Sequence, residues 1–139
     1  KIYAVDVGYG QFDWRLRNSE KVELLERTNA RNLSKEKIPE NVDVIVCDVS
    51  FISIKKIFIP LKNFLKSSYQ IVSLIKPQFE VGKAFVGKGG IVRNQVLIHN
   101  AQDSIISFLK IEGWHIRGIV PSPIEGSNGN QEFMLAAFR

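Results

Sequence analysis

Asp48, Lys76 and Glu132 each stand where a run of apolar residues begins or ends, and an acid, an amine and a second acid delivered to one place could align and activate a hydroxyl. Asp48 lies in the tail of the run Val44 to Val49. An ionised carboxylate in an apolar strand costs several kcal/mol unless it is paired or hydrogen-bonded, so Asp48 either caps a helix or does chemistry. Lys76 closes the apolar run Tyr69 to Ile75 and is fixed by Pro77. Burial lowers a lysine's pKa and a nearby carboxylate raises it, so Asp48 as partner would keep the amine charged while a hydroxyl bound beside it loses its proton more easily. An isolated lysine at a strand end merely extends its head into water. Proximity to Asp48 decides between the two. Asp6 ends another apolar run, where a carboxylate either takes the ribose hydroxyls of a nucleotide or caps a helix.

Bringing such groups together takes a sheet with its strand ends along one rim. The stretch Val42 to Phe51 reads as the central strand, apolar without surface alternation and covered on both faces. Lys1 to Val7 has the same pattern. Phe12 to Arg17 reads as a short helix with a basic face and with Phe12 and Trp14 in the core, and Glu20 to Thr28 as a strand. Ser34 to Asn41 is a connector. Ile54, Ile57, Phe58, Leu61, Phe64 and Leu65 recur at intervals of three and four, which predicts a helix over Ile52 to Lys66 despite Pro60. A strand at Tyr69 to Ile75 precedes a glycine-rich basic segment, Gly82 to Arg93, expected to be a mobile loop. A long amphipathic helix from Gln95 to Glu112 stops at Gly113, and strands at Trp114 to Val120 and Glu132 to Arg139 form a closing hairpin at one edge. The alternation predicts an α/β fold: a mostly parallel sheet with an antiparallel last strand and helices on both faces.

At 139 residues, with 45% hydrophobic and 24% charged residues, the chain suits one globular domain, and no apolar run is long enough to span a bilayer. The lone Cys47 offers neither a disulfide framework nor a thiolate cluster, which fits a reducing, cytoplasmic setting. His99 and His115 lie in different predicted elements without a partner at ligand spacing, so both are structural and no metal is expected. The net charge of +5 suits a polyanionic partner.

Five ordered blocks carry a resemblance: residues 6–17 from Asp6-Val7-Gly8 to Arg17, residues 26–31 from Glu26 to Arg31, residues 47–53 from Cys47-Asp48 to Ser53, residues 75–80 from Ile75-Lys76 to Glu80, and residues 126–133 from Gly126 to Glu132-Phe133. Together they resemble the haemolysin A (TlyA) branch of the FtsJ-like RNA methyltransferases, over nearly the whole chain. The resemblance implies a Rossmann-like methyltransferase fold and S-adenosylmethionine-dependent methylation of a ribose 2′-hydroxyl of ribosomal RNA. It implies three members of a Lys-Asp-Lys-Glu catalytic tetrad, at Asp48, Lys76 and Glu132. The other lysine, the first strand, the glycine-rich cofactor loop and an S4-like RNA-binding domain would all precede Lys1, making residues 1–139 a partial methyltransferase domain. Asp6 and Gly8 would then hold the cofactor's ribose, Thr28 and Asn29 its adenine edge, and Asp48 would lie near the methyl donor. Arg15, Arg17, Lys83, Lys88 and Arg93 are the candidate contacts to RNA phosphates, with Lys55 a further one.

Three other readings of function compete. A nicotinamide-dependent oxidoreductase would use an acid like Asp6 on adenosine ribose, after a glycine fingerprint. A membrane-lytic protein would need an exposed lytic helix or a spanning segment, and the sequence offers neither. An RNA-binding protein that has lost catalysis would not need Asp48, Lys76 and Glu132.

Overall fold

In the computed structural model, which describes residues 1–139 apart from the side chain of Ser127, the strands form two separate sheets. β1 (Ile2–Val5) and β2 (Val22–Leu25) pair in parallel, joined through α1 (Trp14–Arg17), whose first turn is capped by the Asp13 carboxylate accepting from the Arg15 N–H at 2.8 Å. The second sheet has the order β3-β4-β6-β5, from β3 (Val42–Cys47), β4 (Leu65–Ile75), β5 (His115–Pro121) and β6 (Phe133–Phe138). β3 and β4 run parallel, and β6 is antiparallel to both β4 and β5, so the predicted closing hairpin is present. Three helices lie along this part of the chain: α2 (Lys55–Leu61), α3 (Pro77–Glu80) and α4 (Gln95–Ile111). Among the described residues, no helix is long and apolar enough to cross a membrane.

Contacts divide the chain into two units, one of residues 1–41 with 57–64 and the other of residues 42–56 with 65–139. No linker composition marks this boundary, because the first unit is completed by a piece from the middle of the chain. Its buried residues include Ile38, Phe58 and Phe64, with the Lys35 amine 5.0 Å from the centre of the Phe64 ring. Pro60 lies inside α2, which passes into a 3-10 turn at Lys62–Phe64 and is shorter than the predicted Ile52 to Lys66.

In the second unit, the pairing register sorts the side chains. Cys47, Ser73, Leu135 and Ile119 share one face, as do Ile71 and Ala137 one row away. This face is buried apart from the half-buried Ile119, and the buried positions Ile98, Ala101, Ile105 and Leu109 of α4 recur at the helical spacing that an apolar stripe requires. The opposite face carries Val44, Val46, Val72, Met134, Val120 and Phe138, all exposed. The expectation for residues 42–51 is corrected accordingly: β3 is an edge strand of its sheet, with Val46 78% exposed. A β-branched run reports fitness for burial on both faces, but it cannot report which neighbouring strands are there.

A second correction concerns α1. It buries no side chain, and Trp14, expected in the core, is 67% exposed; a four-residue helix is too short for spacing alone to fix which side faces the sheet. For stability, Ile71→Ala, at a site with no exposure, should cost about 2–5 kcal/mol. Val46→Ala, on the open face, should stay within about 0.5 kcal/mol. Chemical denaturation of the two variants measures the contrast.

Candidate active site

The sheet register explains why the three charged side chains share a rim. Cys47 of β3 pairs with Ser73 of β4, and Ile75, the last residue of β4, pairs with Phe133, the first of β6. Asp48 and Lys76 therefore follow parallel strand ends, and Glu132 precedes the neighbouring antiparallel one. The Lys76 Nζ lies 2.6 Å from Asp48 Oδ1 and donates to Ser50 Oγ at 3.2 Å. The lysine side chain is 13% exposed, that of Asp48 63%. An ammonium has three N–H donors, so two are engaged and the third has no partner among the described residues. Cys47, next to Asp48, is buried, and burial pushes its thiol pKa up, which makes it a poor nucleophile.

After Lys76 the chain enters α3, with Pro77 at its first position, where the missing N–H costs nothing and the fixed φ favours a helical turn. That turn sends side chains in two directions. Gln78 Nε2 donates to Glu132 Oε1 at 3.2 Å, so the buried Glu132 is held by Gln78, with no ion pair to Lys76. The other amide atom, Gln78 Oε1, is buried without a protein partner among the described residues. Glu80 accepts from Ser53 Oγ at 2.7 Å and from the Ile54 N–H at 2.9 Å, and burial pushes its carboxyl pKa up. Between these points the rings of Phe51 and Phe79 lie 5.0 Å apart.

Glu132 also fixes the loop before it. A Cβ on Gly126 would fall inside the Glu132 carboxylate, so a larger residue fits there only if the Glu132 side chain moves. The buried Asn130 donates from Nδ2 to the Gly90 carbonyl at 2.9 Å and accepts from the Val92 N–H at 3.0 Å, while Asn128 Nδ2 donates to the Gly89 carbonyl at 2.8 Å. The segment Gly82 to Arg93, expected to be a mobile loop, is thus tied to the strand end that carries Glu132 and contains two 3-10 turns. Glycine content signals loop conformation without revealing the amides that pin it. Lys83, Lys88 and Arg93 are exposed on this segment.

The predicted cofactor residues lie in the first unit. Asp6 follows β1 and accepts from the Gly8 N–H through Oδ1 at 2.6 Å, leaving its second oxygen without a partner among the described residues. Thr28 is buried, and its hydroxyl donates to the Glu26 carbonyl at 3.0 Å and accepts from Lys37 at 3.2 Å. Asn29 caps the turn Ala30–Asn32 through Oδ1, accepting from Arg31. Arg15 is exposed, whereas Arg17 is bound to Glu26 at 2.7 Å. Lys55 donates to Ser104 at 2.6 Å.

Ser50, Gln78, Glu80 and Glu26 are polar residues of these sites that the pattern of apolar runs did not single out. Pro77 was the available signal for two of them, since a helical turn started by proline carries Gln78 and Glu80 away from Lys76 in defined directions. Glu26 also accepts from the Gly10 N–H at 2.7 Å, so it braces the turn after Asp6. Among the described residues, no group of three or more His, Cys, Asp or Glu side chains is arranged to hold a metal.

The family model for FtsJ-like methyltransferases matches residues 1–139. The chain belongs to that family. It is 44% identical over 134 residues to the 16S/23S rRNA (cytidine-2′-O)-methyltransferase TlyA of Mycobacterium tuberculosis, covering 96% of this chain and 50% of that protein. It is 40% identical over 135 residues to Hemolysin A of Brachyspira hyodysenteriae, covering 96% and 56% respectively. A solved structure from Streptococcus thermophilus superimposes with a TM-score of 0.93 at 35% identity, over 99% of this chain and 50% of that one. The chain spans about half the length of the curated relatives it matches. Its fold is the Rossmann-like methyltransferase fold that the five blocks implied.

Two outcomes follow from these contacts. Gly126→Ala should displace Glu132 and destabilise the protein by about 1–3 kcal/mol, read from denaturant unfolding. The Arg17 guanidinium, against the pull of burial and helped by the Gly10 N–H, holds the Glu26 carboxyl below the usual glutamate range. A lowered folded-state value means that this stabilisation is complete above the unfolded glutamate range and is lost as pH falls through the lowered value. Unfolding measured against pH should show that acid limb flattened in Glu26→Gln.

Proposed function

We propose that the complete protein transfers a methyl group from S-adenosylmethionine to a ribose 2′-hydroxyl of ribosomal RNA, with Lys76 and Asp48 at the reacting oxygen. The observation that supports this most strongly is the state of Lys76: one N–H on Asp48, one on Ser50, and the third unengaged, on a side chain nearly enclosed at the rim of the sheet. S-adenosylmethionine, when bound, supplies an electrophilic methyl carbon carried on a sulfonium. The remaining demand on the protein is to align a sugar oxygen and favour loss of its proton, and positioning is the larger part of that task. The free N–H of Lys76 donates to the 2′-oxygen and stabilises the negative charge that develops there, while the hydroxyl proton passes to solvent water and the sulfonium leaves as a neutral thioether. Asp48 fixes the amine in direction. Glu132 holds Gln78 and, through it, the turn that begins at Lys76.

For the cofactor, the unpartnered Asp6 oxygen fits a ribose hydroxyl, and the Gly8 N–H keeps the carboxylate turned toward its own loop. Gly8 leaves that approach uncrowded, since a Cβ there would meet Asp6 Oδ1 at 3.1 Å. Thr28 and Asn29 shape the bend beside it, contributing to the adenine edge through their backbone and through the Asn29 Nδ2. The first strand, the glycine-rich cofactor loop, the remaining tetrad lysine and an S4-like RNA-binding domain belong to the segment preceding Lys1 in the complete, cytoplasmic protein. This agrees with relatives about twice as long as the chain. The partner is ribosomal RNA or a ribosomal subunit. Arg15, Lys83, Lys88 and Arg93 are exposed and available to phosphates, while Arg17 must first leave Glu26.

In the complete protein, Lys76→Ala should lower methyl incorporation into ribosomal RNA by about a hundredfold or more while leaving the circular dichroism spectrum and melting temperature intact. Unchanged turnover would remove Lys76 from the mechanism.

A further inference from the structure

We propose that Glu80 is a positioning residue that sets the geometry of the Asp48–Lys76 pair by clamping the connection after β3 to the turn after β4. The role rests on the methyl-transfer reading of that pair. Asp48 needs such a clamp. Its side chain is 63% exposed, so packing does not hold it, and its place is set by the backbone between Cys47 and the start of α2.

That connection does not hold its own shape either. Phe51, in its middle, is 90% exposed and adopts φ +64°. A non-glycine residue there is strained and persists only where surrounding contacts over-determine it. The contacts come from the residues after Lys76. Ser50 accepts from Lys76 itself, Phe51 lies against Phe79, and Ser53 and the Ile54 N–H both donate to Glu80. Glu80 is the far anchor of this series, and it holds the connection through two bonds, one to a side chain and one to the backbone. Ile54 is almost wholly buried, so the backbone that Glu80 grips is itself fixed in the core.

The Ile54 N–H belongs to the start of α2, where helical N–H groups lack partners within the helix. A serine or aspartate in the same segment is the ordinary solution. Here Ser53 makes only a long contact to the Lys55 N–H at 3.4 Å, and its hydroxyl proton goes to Glu80. The cap is therefore supplied from the turn after β4, 26 residues away along the chain, against the cost of burying a carboxylate. A cap within the segment would stabilise α2 equally well but would not tie the Asp48 connection to the Lys76 turn.

The test uses the complete natural protein, S-adenosylmethionine and ribosomal RNA. Glu80→Gln keeps the size of the side chain but removes its charge, and Ser53→Ala removes one of the two bonds from the other side. Glu80→Gln should lower kcat by about tenfold to a hundredfold, the scale of a misplacement near 1 Å, with KM for RNA and cofactor within about twofold. Ser53→Ala should lower kcat in the same direction by less. In a Lys76→Ala background Glu80→Gln should add no further loss, because a residue that acts through the pair has nothing left to position. An unchanged kcat in both single variants, or an equal loss with and without Lys76, overturns the clamp. Full turnover by Lys76→Ala would instead overturn the methyl-transfer reading of the pair, and is seen in a different variant.

Discussion

Holding an ammonium 2.6 Å from a carboxylate at the rim of a sheet requires two separate strand ends to be fixed relative to each other, and hydrogen bonding within the sheet stops short of both residues. The last pair between β3 and β4 is Cys47 with Ser73, so Asp48 and Lys76 lie beyond that ladder. What joins them past that point is side-chain contact. Parallel pairing brings the strand ends to the same rim, but the distance between the two charges depends on the loops.

The turn Pro77–Glu80 is where those loops are joined. Within a few residues it sends Gln78 to Glu132 and Glu80 to the start of α2, and it sets Phe79 against Phe51. Three strand ends are thereby referred to one short element that follows directly from Lys76. The arrangement concentrates polar groups and strain in a small volume: a buried carboxylate at Glu80, a left-handed Phe51, an enclosed Glu132 pressed against Gly126, and a Gln78 carbonyl oxygen without a protein donor among the described residues. Such features lower the stability of an ordinary surface, and their clustering around one ion pair marks a place maintained for geometry.

Much of this was legible in the residues alone. Polar residues at the ends of apolar runs pointed to Asp48, Lys76 and Glu132, because an open α/β sheet collects its strand ends along one rim. The strands after residue 65 and the long helix followed from periodicity, which burial enforces. Trp14 was misplaced because four residues of helix give spacing too little length to act on, and β3 was placed centrally because a run of valines reports apolar surroundings without naming them. The four-way role of residues 76–80 was not visible, since Gln78 and Glu80 look like solvated residues until the turn's direction is known. The tethering of Gly82 to Arg93 was hidden for the same reason: Asn128 and Asn130 read as turn formers, and their long-range partners exist only in the folded chain.

Membership of the FtsJ-like methyltransferases gives this rim its chemical context, and the unengaged N–H of Lys76 gives it a direction. The most direct measurement is the distance from Lys76 Nζ to the target ribose oxygen in a structure of the complete protein bound to the demethylated cofactor product and its RNA. The account predicts a 2′-oxygen within about 3.2 Å of Nζ, with Asp48 still paired to the amine. A target sugar held elsewhere, with the Lys76 amine turned away from it, would contradict the account.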